Sequence, residues 1–282
     1  MKTCVHTMAF PDLKAAQAME IVASIGYDGI DLICDDEYSC GVSLHPTGKE
    51  LRALKKQASD CGLEIAALTP YVADIWVEGD NRRGKSVEEL QRCIDTAAEL
   101  GAGSVRIMSG NVRPDDNEWA GAFNRAVDSL RRLAEKLPDG VHLNMENHAN
   151  SMSTNSEETM KLVEAVNDPG VGVLYDPTNL YLYGEPDFRQ AFERQKKSIG
   201  HVHVKDFRLF PGGNFCPVLM GEGDVPWRQL VSWLAAVDYR HYLSMEYEVR
   251  WHPGMLPNAP MALRSELATI KGYIAESKSL AK

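Results

Sequence analysis

One unit recurs along this chain: a short apolar run, a polar loop, then a segment with helical spacing. The apolar runs fall at 3–8, 29–33, 64–68, 104–108, 142–147, 171–176, 200–205 and 242–246, with amphipathic segments such as 13–25, 48–61, 86–100, 117–137 and 156–166 between them. Eight units over 282 residues, about 35 apiece, is the count of an α/β (β/α)8 TIM barrel, here a single domain covering 1–282. An open doubly wound sheet shares the alternation. Such sheets often carry a Gly-rich turn after the first strand, whereas this chain reads Ala9-Phe10-Pro11-Asp12 there and contains no P-loop. Asp12 and Ser86 are placed as helix N-caps, Ser86-Val87-Glu88-Glu89 as a capping box, and Gly26, Gly62 and Gly101 as left-handed stops after helices. The two longest loops, 71–85 and 207–225, both follow strands and belong to the face where barrel sites are built.

Composition narrows the partners. A formal charge of −10 argues against binding a nucleic-acid backbone or an anionic membrane surface, and leaves a small-molecule sugar or polyol as the expected partner. No apolar window approaches the 18 residues of a membrane span, and no signal peptide is visible, so the cytoplasm is expected. The six cysteines include no C-x-x-C pair and read as reduced thiols. A homo-oligomer is compatible with all of this.

Side chains alternate across a strand, so parity tells which ones face the barrel interior. Val202 and Val204 point out while His201, His203 and Lys205 point in. Leu143 and Met145 point out while Asn144, Glu146 and then His148 point in. The same rule sends Asp176, Ser244, Glu246, Glu248 and Arg106 inward. Four of these, Glu146, Asp176, His203 and Glu246, end consecutive strands of the second half. Any one alone would equally be a salt-bridged strand end. Three carboxylates converging in one mouth would repel unless a cation neutralised them. With one imidazole they form a hard-donor set for one divalent ion, Mn²⁺ foremost, with Mg²⁺, Co²⁺ or Zn²⁺ as alternatives.

The segments Asn144-Met145-Glu146-Asn147-His148, Leu174-Tyr175-Asp176-Pro177-Thr178-Asn179, His201-Val202-His203-Val204-Lys205-Asp206, Gly221-Glu222-Gly223-Asp224 and Ser244-Met245-Glu246 resemble the xylose-isomerase-like TIM barrels. That superfamily includes sugar phosphate isomerase/epimerases, ketose 3-epimerases, inosose-handling enzymes and family 2 AP endonucleases. The resemblance implies one metal held by Glu146, Asp176, His203 and Glu246, the set that parity selects. It also implies, from the ketose epimerases, that Glu146 and Glu246 move protons from opposite sides of the substrate. Where several relatives place a substrate-touching His, this chain has Asn179. The chain has eight histidines and its sequence offers no dense His/Asp set beyond the four named residues, unlike the three-metal cluster of the endonucleases.

The chemistry expected is proton abstraction next to a carbonyl through a metal-stabilised enediolate, giving an isomerase or epimerase of a sugar, sugar phosphate or cyclitol in carbohydrate metabolism. Loss of a β-hydroxyl from the same intermediate would make the protein a dehydratase on an inosose- or 3-dehydroshikimate-like keto-polyol, with His148 as its general base. A metal-binding barrel subunit without catalysis is the third reading. Arg106, Asn179, Lys205 and Arg208 are the candidate substrate-binding residues, Lys205 being equally readable as an internal ion pair. Tyr71, Trp76, Phe215 and Trp251 are candidate wall aromatics or ordinary loop packing. His201 is expected to be a satisfied core histidine, and His6 and Asp31 point inward without a role.

Overall fold

The computed structural model describes residues 1–280. Strands β1 (Lys2–His6), β2 (Gly29–Cys34), β3 (Glu64–Pro70), β4 (Ser104–Ile107), β5 (His142–Glu146), β6 (Val171–Tyr175) and β7 (Ile199–Val204) follow one another around a barrel. After an antiparallel ribbon, β8 (Asp206–Leu209) with β9 (Phe215–Val218), the last barrel strand β10 (Tyr242–Met245) pairs in parallel with both β7 and β1 and closes the ring. The closed parallel barrel settles the choice left open by alternation alone.

Helices α1 (Ala15–Ile25), α2 (Gly48–Asp60), α3 (Asp80–Leu100), α4 (Trp119–Ala134), α5 (Ser156–Val166), α6 (Pro177–Leu182), α7 (Phe188–Gln195), α8 (Trp227–Ala236) and α9 (Ala259–Leu280) connect and cover the strands. Helix α1 buries Ala15, Ala18, Met19, Val22 and Ile25, the i, i+3, i+4, i+7 stripe of a helix lying on a sheet. Beneath the helices lie the outward strand residues Val202, Val204, Leu243 and Met245, all buried, each worth roughly 1.5–3 kcal/mol for leaving water. Inside the barrel, Asn144 leans on β7, where a Cβ at Gly200 would come within 2.2 Å of its Oδ1, so only glycine fits that position.

Local signals fail where tertiary contacts outweigh them. Helix α1 starts at Ala15, capped at Lys14, whose N–H donates to Gln17 Oε1 at 3.0 Å, so Asp12 is not its N-cap. Ser86 lies inside α3, which begins six residues earlier, with Arg82 of its first turn paired to Asp74 of the preceding loop at 2.6 Å. The first strand stops at His6, and a 3-10 turn over Thr7–Ala9 takes its place as His6 Nδ1 accepts the Met8 N–H. The stretch expected to be a loop at 207–225 contains most of the β8–β9 ribbon. Gly26, Gly62 and Gly101 do adopt positive φ after α1, α2 and α3. All six cysteines are free thiols.

Candidate metal and proton-transfer site

Glu146 ends β5, Asp176 follows β6, His203 lies in β7 and Glu246 follows β10, so four adjacent strands deliver four side chains to the carboxyl end of the barrel. All four are buried. One ligand atom from each lies within 4.8 Å of the others. The His203 Nδ1 stands between the two glutamates, 3.1 Å from Glu146 Oε1 and 3.4 Å from Glu246 Oε2.

Each member is oriented by its neighbours. The Ser153 hydroxyl donates to the Glu146 carbonyl at 2.6 Å, fixing the strand end. Asp176 Oδ1 accepts the Asn179 N–H at 2.8 Å and so caps α6, with Pro177 as its first residue. Its other oxygen, Oδ2, is buried without a hydrogen bond, although Lys205 Nζ stands 2.9 Å away as an ion pair. Lys205 Nζ also donates to Glu246 Oε2 at 2.6 Å and to Glu248 Oε1 at 2.9 Å.

Electrostatics follow from this packing. Burial pushes the Glu146 carboxyl up, but Arg106 and His203 outweigh it and hold it below the usual range, at about 2. Burial likewise opposes ionisation of Glu246, and Lys205 and His203 hold it well below its ordinary value. Asp176 goes the other way: burial, against the pull of Lys205 and with the two glutamates adding, pushes it up to about 6. Burial favours a neutral His203 ring, yet Glu246 and Glu146 prevail and push it up to about 10. His203 Nδ1 faces two carboxylates at the kind of place a cation fills, and beside it Asp176 Oδ2, paired with Lys205 only as an ion pair, makes no hydrogen bond. The donor set therefore fits a hard divalent ion.

The remaining sequence-selected residues divide. Arg106 is buried, donating to the Thr69 and Pro70 carbonyls and, at 3.3 Å, to Glu146 Oε2; its guanidinium is committed to the protein and holds Glu146 in place. Asn179 donates from Nδ2 to the Asn147 carbonyl at 2.9 Å. Lys205 faces the carboxylates of the site, while its neighbour Asp206 accepts the backbone N–H groups of Phe207, Gly221, Gly223 and Val225. That arrangement explains the spacing from Lys-Asp to Gly-Glu-Gly: the second loop folds around one carboxylate, and a Cβ at Gly223 would lie 2.1 Å from Asp206 Oδ1. Arg208 is exposed on the ribbon and donates to the Glu222 carbonyl. His148 is half-buried with Nδ1 at 2.9 Å from the Ala149 carbonyl oxygen.

Among the aromatics, Tyr71 packs against Arg106, with 4.4 Å from guanidinium carbon to ring centre. Phe215 packs on Phe207 and His252, Trp251 is half-exposed, and the Trp76 indole lies over Gly110, where a Cβ would meet its Nε1 at 2.5 Å. His201 Nε2 is 2.7 Å from Asp31 Oδ2, and His6 Nε2 is 2.8 Å from Thr69 Oγ1. Since His6 Nδ1 accepts from Met8, its Nε2 carries the hydrogen. Sequence reasoning missed Thr69, which lies in β3 one residue past the expected strand end, and the Tyr38–Tyr71 stack, since a tyrosine in a loop carries no spacing signal.

Residues 19–273 match the xylose isomerase-like TIM barrel family. The fructoselysine 3-epimerase of Shigella flexneri is 23% identical over 257 residues, covering 87% of this chain and 90% of that one. A probable endonuclease 4 of Mycobacterium ulcerans is 27% identical over 189 residues, covering 64% of this chain and 73% of that one. A xylose isomerase-like TIM barrel protein from Mycobacterium smegmatis, solved in complex with magnesium, superposes with a TM-score of 0.78 at 16% identity, covering 98% of this chain and 97% of that one.

Proposed function

The chain belongs to the xylose isomerase-like TIM barrel family, and on that premise we propose that it is a divalent-metal-dependent epimerase or isomerase of a sugar, sugar phosphate or cyclitol. One observation carries the reading: two buried glutamates from β5 and β10 flank His203 Nδ1, with Asp176 completing a four-donor set. A divalent ion held by Glu146, Asp176, His203 and Glu246, with Mn²⁺ the first expectation, would supply Lewis-acid stabilisation to negative charge developing on the substrate's carbonyl oxygen.

The chain's own residues then divide the work. Glu146, anchored by Arg106, and Glu246, anchored by Lys205, approach from different strands and act as the pair that removes and returns the proton beside the carbonyl. Lys205 stands beside them with its ammonium paired to Asp176, Glu246 and Glu248, and so holds these acids in place. Below the site Asn144, His201 and Asp31 are buried, His201 Nε2 lying 2.7 Å from Asp31 Oδ2.

The coverage of nearly the whole chain by an epimerase relative supports this over nuclease action, as does the charge of −10. The experiment is to load the protein with Mn²⁺, incubate it with a panel of ketoses and cyclitol ketones in D2O, and follow deuterium entering the carbon beside the carbonyl. Incorporation with formation of the epimer or isomer supports the reading. Release of water from the substrate instead would make the protein a dehydratase, and no exchange with any panel member would overturn the proposal.

A further inference from the structure

Four side chains form a ladder across the barrel mouth. Buried Arg106 lies under the Tyr71 ring at 4.4 Å, Tyr71 stacks on Tyr38 with centres 5.4 Å apart and planes 14° from parallel, and Arg250 lies over Tyr38 at 4.3 Å. Trp251 flanks the same guanidinium at 5.5 Å. Tyr38, Tyr71 and Arg250 follow β2, β3 and β10, so all three stand on the carboxyl face, and the inner end of the ladder touches Glu146 through Arg106.

The two ends differ. Arg106 is enclosed and spends its donors on Thr69, Pro70 and Glu146. Arg250 is exposed, and among the described residues it makes ring contacts but neither hydrogen bond nor ion pair. The guanidinium, over Tyr38 and beside Trp251 with no acceptor among the described residues on its N–H groups, is available to a planar or bidentate oxyanion. In a mouth otherwise dominated by carboxylates, that is a placed receptor for negative charge.

We propose that Arg250, held on the Tyr38–Tyr71 stack, grips an oxyanion on the substrate remote from the reacting carbon, so that the preferred substrate is an acidic sugar derivative and not a neutral sugar. The inference rests on the epimerase reading of the site. Carboxylate and phosphate share the required chemistry.

The test is calorimetric titration of the Mn²⁺-loaded protein with D-fructose, D-fructose 6-phosphate and D-fructuronate, which differ chiefly at the far end. The wild type should bind at least one acidic probe about tenfold tighter than fructose, a phosphate or a carboxylate preference being read from which one. Arg250→Met should bring that ratio close to one, Arg250→Lys should restore part of it, and Tyr38→Leu should lower it by releasing the guanidinium. Equal or undetectable binding of all three by the wild type overturns the inference, as does a preference that survives in Arg250→Met. Binding is read apart from turnover. Deuterium exchange without anion preference would leave the epimerase reading standing and remove this one, whereas Arg250-dependent anion binding without exchange would do the reverse.

Discussion

Lys205 Nζ donates to Glu246 Oε2 at 2.6 Å, and the same ammonium faces Asp176 and Glu248. One flexible cation thus balances three acids, two of them in the candidate metal set. A lysine ammonium and a divalent ion compete for such a pocket, since two unit charges about 4 Å apart interact by up to roughly 4 kcal/mol at an effective dielectric near 20. Lys205→Met should therefore bind Mn²⁺ at least about tenfold more tightly than the wild type in calorimetry, while turnover falls because Glu246 loses the ammonium that anchors it. Unchanged or weaker Mn²⁺ binding would show that Lys205 does not share the pocket.

Metal should stabilise the fold. At a hundredfold excess over its Kd, an ion that binds only the native state adds about 2.7 kcal/mol, so chelation should lower the Tm by several degrees. His203→Ala should retain neither the ion in elemental analysis nor the shift. Because His203 is protonated up to about 10 and must lose that proton to serve as a ligand, Mn²⁺ affinity should rise with pH across the neutral range. A melt indifferent to chelator would mean the carboxylates are neutralised by Lys205, Arg106 and His203 alone.

Glu266, on α9, offers a stability test away from the site. Burial, with Asp206 and Glu222 adding and the Met220 N–H opposing, pushes it up to about 7 from an ordinary 4.5. The native state thus holds the proton more tightly than the unfolded chain. Stability falls as pH climbs from about 4.5 to 7 and is level above, a loss of order 3 kcal/mol. Glu266→Gln keeps an acceptor for Met220 and should raise the Tm at pH 8 while leaving it nearly unchanged at pH 4.5. Equal effects at both pH values would contradict this origin.

The inward set of four was legible because strand parity is fixed: Val202 and Val204 can only lie on the helix side if His203 lies on the other. The same rule placed Arg106 inside but not its partners, since the carbonyls of Thr69 and Pro70 have no sequence signature. Lys205 was readable as an ion pair with Asp206 or with an inward carboxylate, and the geometry chose the latter because the Gly221–Val225 backbone takes Asp206 for itself. Helix starts were least legible. Helix α3 starts six residues before Ser86, after Gly79, and its first turn carries the Arg82–Asp74 pair to the loop, a contact that local capping rules do not see.

The central claim is that Glu146 and Glu246 share the proton transfer, and isotope exchange by the glutamine variants tests it most directly. Glu146→Gln and Glu246→Gln each keep an oxygen donor while removing a base, so with metal content verified each should exchange deuterium into bound ketose some 10²–10⁴-fold more slowly than the wild type. His148→Ala should remain within about tenfold of wild type. Wild-type exchange rates in both glutamine variants with metal bound, and a severe loss in His148→Ala, would contradict the two-glutamate account and move the base to His148.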